Sequence, residues 1–243
     1  MLRVVRRSGV AREYKRAATA LLAPRPGEVA IDVGCGLGDD ACELAAAVGT
    51  SGLAIGVDLA RPEPLDATCG ARFVTADALA LPFAAASVDA VRIDRVLHLL
   101  DDAPGVLREC VRVLRAGGRL VAAEPDVASL RFPGLDDAVT RAIVAHRART
   151  ARQDVSARLA ALLGACALRV DPPRRIESVV ARLPVCDVAF SLPTTLSALV
   201  SEGAVGLDAA RAWVAAREGE DAAGVFRATF AGWVVRAELP ERW

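Results

Sequence analysis

The sequence predicts an α/β fold, a mostly parallel sheet with helices on both faces and a helical lid. Three observations lead there. Between residues 28 and 124, short apolar runs alternate with stretches of helical periodicity, and strands that alternate with helices form a parallel sheet covered on both faces. A glycine-rich turn, Gly34-Cys35-Gly36-Leu37-Gly38, joins the first run to the helix after it. Past residue 125 the apolar residues recur at helical spacing and strands return only near the end.

Residues 9–23 read as a helix that stops at Pro24. Glu28 to Val33, bounded by Pro26-Gly27 and Gly34, reads as a buried strand. The helix after the glycine turn spans about Asp39 to Val48, with Asp39 and Asp40 suited to its exposed first-turn amides. Leu53 to Asp58, Arg72 to Thr75 and Val88 to Ile93 are three further strands. Only 13 residues, 59 to 71, link the second and third, close to the minimum of about a dozen for a parallel crossover. Helix 103–115 leads through Gly117-Gly118 into a strand from Arg119 to Glu124, which Pro125 is expected to stop. Two amphipathic helices follow, on stripes Leu135-Val139-Ile143-His146 and Val155-Leu159-Leu162-Leu163-Cys166. Arg175 to Arg182 reads as a strand, 191–201 and 206–218 as helices, and Gly224 to Glu238 as a closing strand whose Trp233 is expected in the core. The whole reads as one domain, with a cap helix over 1–24, a ligand-binding core over 25–126, and substrate-side helices, lid and last strands over 127–243.

Composition removes several function classes. The 243 residues carry 30 basic and 30 acidic side chains, with Lys15 the one lysine. A nucleic-acid binder concentrates basic charge on one face, and only the start does so, where Arg3, Arg6, Arg7, Arg12, Lys15 and Arg16 stand against Glu13. That cluster reads as a solvated helix face. No stretch approaches the ~18 uncharged apolar residues of a membrane span; the best, Val188 to Ser201, is interrupted by a proline and several hydroxyls. The six cysteines form no CxxC pair, so neither zinc nor a disulfide framework is expected, and reduced thiols in a cytoplasmic monomer or homodimer are the default.

In an open parallel sheet, ligands bind outside the carboxyl ends of the strands. Asp32 and Asp58 stand at the ends of the first two strands and Asp77 just past the third. A dinucleotide would need a third glycine at position 39, which is Asp39, and its pyrophosphate would meet Asp39 and Asp40. One like-charge pair ~4 Å apart costs on the order of 4 kcal/mol at an effective dielectric near 20. A phosphate-free ligand with a cationic centre avoids that cost, and S-adenosylmethionine (SAM), with its sulfonium and ammonium, fits acids beside a bare glycine loop.

Five stretches occur in the order seen in class I SAM-dependent methyltransferases. They are Ala30-Ile-Asp-Val-Gly-Cys-Gly-Leu-Gly38, Gly56-Val-Asp-Leu59, Ala76-Asp-Ala-Leu-Ala-Leu-Pro-Phe83, Ser87-Val-Asp-Ala-Val91 and Val113-Leu-Arg-Ala-Gly-Gly-Arg-Leu-Val121. The chain resembles the UbiE-like, small-molecule branch of that family over residues 25–126. The resemblance implies a Rossmann-like, seven-stranded sheet. It implies that Gly34, Cys35, Gly36 and Gly38 cradle the methionine part of SAM, with Asp32 supporting that loop or the ammonium. Asp58 would hold the ribose hydroxyls, Leu59 would pack on adenine, and Asp77 would accept from the adenine amino group near the Ala78 amide. Asp94 and Arg95 fall where the family lines the methyl-donor site, and Tyr14 sits on a helix that in relatives folds over the methyl donor. Asp40 and Asp89 are explained by a helix start and a strand-end turn.

The sulfonium methyl is already activated, so alignment of a nucleophile is the main task. His98 reads either as a base or substrate hydrogen bond, or as a helix-start histidine satisfied by backbone. His146 and Trp213 are candidates for the substrate chamber, against paired or packed core residues. That chamber is expected from residues 1–20, 126–150 and 186–222, whose small apolar side chains suit a small, fairly apolar metabolite of quinone-type or secondary metabolism. No metal is expected. The rivals are a cyclase or isomerase on the same fold, and a non-catalytic ligand-binding protein.

Overall fold

The computed structural model describes residues 12–60, 68–150 and 155–241. The calls on Arg3, Arg6 and Arg7, and on most of the 59–71 crossover, lie outside those residues. The elements are α1 (Arg12–Leu22), β1 (Val29–Val33), α2 (Asp39–Val48), β2 (Leu53–Asp58), β3 (Arg72–Thr75), β4 (Val88–Asp94), a 3-10 turn (Leu97–Leu99), α3 (Ala103–Val113) and β5 (Leu114–Arg131). After them come α4 (Ala138–Thr150), α5 (Val155–Ala165), β6 (Arg169–Val170), β7 (Arg174–Val180), α6 (Leu183–Phe190), α7 (Leu192–Ser201), α8 (Leu207–Ala222) and β8 (Ala228–Glu238).

The chain divides into two compact units. The first comprises Tyr14–Glu124, Asp154–Arg175 and Trp233–Trp243. Its sheet has the order β3-β2-β1-β4-β5-β8-β6. β1 pairs in parallel with both β2 and β4, β2 with β3 and β4 with β5, while β6 runs antiparallel to β8. The sheet has eight strands where seven are expected, because β7 also pairs with β8 and the two-residue β6 is counted. The chain steps outward from β1 to β3 and then returns to the other side of β1 for β4. The carboxyl ends of β1 and β4 therefore form the topological switch point where such sheets bind ligands.

Strand alternation divides the residues of this switch point. Ile31, Val33, Val91 and Ile93 enter a core with Leu107 and Cys110 of α3 and Leu159 and Leu163 of α5. Burying one such leucine contributes about 1.5–3 kcal/mol. Asp32, Arg92 and Asp94 alternate with them and take the opposite face, where Asp32 and Arg92 stand as register partners.

The second unit comprises, among the described residues, 125–150 and 176–232. It has its own core, from Leu130 and Phe132 through Ile143, Phe190 and Leu196 to Trp213 and Phe226. No single described helix is long and apolar enough to cross a membrane. α6 and α7, bent by 67° at Ser191, reach the required length only as a pair, and Leu183, Cys186, Phe190, Leu192 and Leu199 bury their apolar faces in this core.

Four local expectations are corrected. β5 does not stop at Pro125; it runs on to Arg131. Ala123 is the last β5 residue paired with β4, and its carbonyl accepts the Arg95 N–H at 2.8 Å. Alternation puts the Pro125 nitrogen on that same side, past the end of β4, so its missing N–H breaks no ladder bond. β5 also begins at Leu114, since the register jumps from Val88–Leu114 to Ala90–Arg119 and the Gly117-Gly118 stretch bulges out, with Gly117 at φ 74°. The third correction is α6, which the sequence reading passed over; Pro184 sits in its first turn, where proline is tolerated. The fourth is a disulfide between Cys42 of α2 and Cys69 before β3, with Cα atoms 5.4 Å apart. Linear spacing does not reveal this pair, because the fold brings together cysteines 27 residues apart. Cys35, Cys110, Cys166 and Cys186 are free thiols.

Candidate active site at the carboxyl ends of β1 and β4

The glycine turn follows β1 as expected. Gly34, Gly36 and Gly38 hold φ of 76°, 51° and 77°, a left-handed backbone that side chains disfavour. At Gly34 the constraint is also steric, since a Cβ there would stand 2.2 Å from Val96 Cγ2. The Gly34 and Cys35 amides both donate to the Val57 carbonyl, at 2.7 and 3.0 Å, which ties the turn to β2. Asp58, at the end of β2, takes the Gly36 N–H on Oδ2 at 2.8 Å and the Ala60 N–H on Oδ1 at 3.0 Å. Leu59 beside it is 73% exposed. Asp77 accepts the Leu79 N–H at 2.9 Å in a tight turn that also holds Ala78. Cys35 is buried in the turn, and burial, then Asp32 and Asp58, push its thiol up to about 12, so it supplies packing and no thiolate.

Beneath the turn lies a mixed-charge cluster built from α1, α2, β1 and β4. Arg92 is fully buried. Its Nη2 stands 3.2 Å from Asp40 Oδ1 and 3.3 Å from Asp94 Oδ2, and its Nη1 donates to Thr19 at 2.8 Å. Lys15 of α1 reaches Asp40 Oδ2 at 2.5 Å and Asp94 Oδ2 at 3.8 Å. Tyr14 is buried and donates to Asp94 Oδ1 at 3.3 Å, while Arg95 lies 3.3 Å from the same oxygen and 6.0 Å from the Tyr14 ring centroid. Burial, then the Asp94 charge, raise the Tyr14 phenol well above its ordinary value, so it remains a neutral donor.

The acids of this cluster differ in state. Burial pushes Asp40 upward, but Arg92 and Lys15 outweigh it and hold the carboxyl below its usual range. Burial and the neighbouring Asp40 charge raise Asp32 to about 8, against the pull of Arg92 and Lys15. Asp32 Oδ2 is among the buried polar atoms that find no hydrogen-bond partner in the described residues. Asp40 stands in the first turn of α2 as expected, but its carboxylate is engaged by Arg92 and Lys15 rather than by the first-turn amides alone. Gly38 occupies the N-cap without a side-chain cap bond, and Asp40 turns inward to Arg92 and Lys15. Asp89 keeps its structural role, accepting the Val29 N–H at 2.8 Å and pairing with Arg115 at 2.7 Å.

His98 lies in the 3-10 turn after β4, with Nδ1 2.6 Å from Glu124 Oε2. Glu124 is fully buried, and its Oε1 takes the Val96 and Leu97 N–H groups at 3.0 and 2.7 Å. In the second unit, His146 Nδ1 stands 3.8 Å from Glu202 Oε1. Trp213 is 5% exposed, donates its indole N–H to Thr140 at 2.9 Å and meets Phe132 edge-on at 5.3 Å. Its ring and its donor are thus both engaged by packing.

Sequence reasoning missed Lys15, Arg92 and Glu124, and with them the partners of Asp40. Arg92 carried a usable signal, because a charged residue inside an otherwise apolar parallel strand needs a buried partner. A SAM site is tested here on the residues themselves. The acids proposed to select a cation are matched by Lys15, Arg92 and Arg95, leaving Asp32 with an open carboxyl oxygen beside a glycine turn in which Gly34 has no room for a Cβ. Such a mixed-charge cluster fits the zwitterionic methionine part of SAM, and Asp58 at the end of β2 fits its ribose.

Residues 31–122 match the family model described as a methyltransferase domain. The chain is 36% identical over 239 residues to the uncharacterized 37.1 kDa protein in transposon TN4556 of Streptomyces fradiae, covering 94% of this chain and 67% of that protein. It is 40% identical over 132 residues to a demethylmenaquinone methyltransferase of Roseiflexus castenholzii, covering 51% of this chain and 55% of that enzyme. The chain thus spans little more than half the length of that relative. A crystal structure from Bacillus halodurans superposes with a TM-score of 0.64 at 16% identity, covering 93% of this chain and 98% of that one, and shares its fold. With the glycine turn, the switch point and these matches together, the chain belongs to the class I SAM-dependent methyltransferases, and the half of it that aligns resembles the demethylmenaquinone methyltransferases.

Proposed function

We propose that the chain transfers a methyl group from SAM to a small, fairly apolar metabolite of quinone type or secondary metabolism. The observation that carries the reading is the glycine turn at the switch point, with Asp32 Oδ2 buried and unpartnered beneath it. When bound, SAM supplies a methyl group already activated on a sulfonium. Gly34, Cys35, Gly36 and Gly38 hold its methionine part, with Asp32 opposite the ammonium and Arg95 and Asp94 lining the donor site. Asp58 holds the ribose, and Asp77 with Ala78 meets the adenine. The exposure of Leu59 leaves a hydrophobic surface for the adenine ring to cover. Tyr14 shapes the donor site through Asp94 and Arg95. The protein's main contribution is to align the nucleophile in line with the methyl group and keep water out, and alignment alone supplies several kcal/mol. The packing of Trp213 favours a structural role, whereas His146 Nδ1 is buried without a hydrogen-bond partner among the described residues and 3.8 Å from Glu202, which keeps His146 a candidate for the substrate chamber.

Calorimetric titration with SAM and with its demethylated product tests the reading. Both are expected to bind. Replacing Asp58 by Ala frees Gly36 and removes the ribose acceptor, and weakens SAM by ~1–3 kcal/mol, the scale of a lost charged hydrogen bond. A folded protein that binds neither ligand overturns the reading.

A further inference from the structure

Glu124 and His98 make a buried carboxylate–imidazole pair that the binding of SAM does not use. We propose that His98 is the general base of the reaction and Glu124 its positioning residue, and that the acceptor is a hydroxyl on an unsaturated carbon, as in a phenol, enol or hydroquinol. The proposal rests on the methyl-transfer reading above.

The pair is held by the backbone on both sides. Leu97 is fully buried and anchors the 3-10 turn in the core, while Leu99 is 70% exposed. His98 lies between them with a quarter of its side chain exposed. Val96, which starts this turn, packs on Gly34 so closely that no Cβ fits there. The turn that carries His98 therefore abuts the glycine turn that carries the methyl donor. Glu124 Oε1 accepts the Val96 and Leu97 N–H groups, which pins the carboxylate and the turn together. Its Oε2 accepts from Nδ1 of His98 at 2.6 Å. Which ring nitrogen carries the proton is set by the hydrogen bonds the ring makes, and a carboxylate oxygen can only accept, so Nδ1 carries it here. With Nδ1–H committed to Glu124, the lone pair is on Nε2.

The step balances as follows. The acceptor's O–H bond breaks, its proton passes to Nε2 and its electron pair stays on oxygen. An oxygen lone pair forms the new O–CH3 bond as the S–CH3 bond breaks, with that pair staying on sulfur. The products are a methyl ether, the neutral thioether and an imidazolium facing the Glu124 carboxylate, which loses its proton to water. An amine attacks through a lone pair it already has and needs no such base beforehand, whereas a hydroxyl must first be ionised, so the pair points to a hydroxyl-bearing acceptor; a ring carbon activated by that same ionisation is the competing site, which the position of the label separates.

Two variants and one spectrum test this. In His98→Gln, turnover falls about 100-fold, the lower end of what a positioned base supplies, with SAM affinity unchanged. In Glu124→Gln, the amide oxygen still accepts the two backbone N–H groups, but its NH2 donates to Nδ1, so the proton moves to Nε2 and the base is lost. Its turnover falls as far as that of His98→Gln. Nitrogen-15 NMR of the two histidines, assigned with His146→Gln, reads the tautomer directly: Nδ1–H in the native protein and Nε2–H in Glu124→Gln. The probes are 1,4-naphthalenediol under nitrogen and 1-naphthylamine, with SAM labelled in its methyl group. Label transfer to an oxygen of the diol, lost in both variants, supports the proposal, and label on a ring carbon overturns the hydroxyl assignment. Transfer to the amine alone or to neither probe, undiminished turnover in His98→Gln, or an Nε2–H tautomer in the native protein each overturns it. A protein that does not bind SAM fails the earlier reading instead, and the calorimetry separates the two.

Discussion

The guanidinium of Arg92 lies 3.2 Å from the carboxylate of Asp40, and the arginine is wholly buried within β4. Because Arg92 also meets Asp94 and Thr19, it is the common partner of the polar face beneath the glycine turn. A buried charge left without its partner is costly, typically about 3–5 kcal/mol. Replacing Arg92 by Met strands Asp40 and Asp94 with Lys15 as their remaining close cation on α1, and is expected to lower unfolding stability by about that amount in urea titrations. A loss below about 1 kcal/mol would show that water or rearrangement satisfies both acids.

Asp32 makes stability depend on pH in an unusual direction. Burial and Asp40 raise its carboxyl to about 8 in the folded chain, from an ordinary value of 3.8. Between those values the unfolded chain releases the proton and the folded chain keeps it, so each pH unit favours unfolding by up to about 1.4 kcal/mol. The stabilising protonation is fully present below the unfolded value and is lost as pH rises through the folded one. Asp32→Asn has no such titration. Urea unfolding at pH 5.5 and 7.5 should find the variant gaining about 1–3 kcal/mol relative to the native chain over that interval, with the difference level above pH 8 or so. A constant difference between the two pH values would mean that Asp32 is ionised in the folded protein.

Gly34 and Val96 define how closely the glycine turn and the histidine turn approach. Gly34→Ala meets two separate penalties. Its φ of 76° costs a non-glycine residue about 1–2 kcal/mol, and its Cβ stands 2.2 Å from Val96 Cγ2. Adding Val96→Ala removes the clash and leaves the backbone cost. Thermal unfolding of the two single variants and the double variant should place the double above Gly34→Ala, yet about 1–2 kcal/mol below Val96→Ala. Equal stability of Gly34→Ala and the double variant would show that the turns part without strain.

Much of this was legible in the sequence, for identifiable reasons. β1, α2, β2 and β3 were placed to the residue or close to it because each apolar run is bounded by glycine, proline or aspartate. The glycine turn and Asp58 were legible because left-handed backbone and strand-end carboxylates leave a mark in residue type. The partners of Asp40 were missed because Asp39-Asp40 at a helix start has a complete local explanation, and nothing local reveals that Lys15 and Arg92 face Asp40. Glu124 was invisible as part of a site for a similar reason: at a strand end before proline it looks like a stop signal. α6 was missed because Pro184 and Pro193 punctuate a stretch that helices tolerate only in first turns. Contacts far apart in sequence, the His98–Glu124 and Cys42–Cys69 pairs among them, left no periodic trace.

The Cys42–Cys69 disulfide closes α2, β2 and the crossover to β3 into one loop. In the chain-entropy picture a loop of about 27 residues stabilises the folded state by about 3–4 kcal/mol, because the cross-link removes conformations from the unfolded chain. Two measurements check it. Alkylation of the unreduced, denatured protein should modify four of its six cysteines, leaving Cys42 and Cys69 protected. Urea unfolding with a reductant should then lower the stability of the native chain to that of a Cys42→Ser, Cys69→Ser variant, which itself should not respond to the reductant. Because α2 carries Asp40 into the charge cluster and begins at Gly38 of the glycine turn, SAM affinity should fall with the bond if the tether also orders the turn. Unchanged stability of the native chain under reductant would mean that the two thiols are neighbours without a bond.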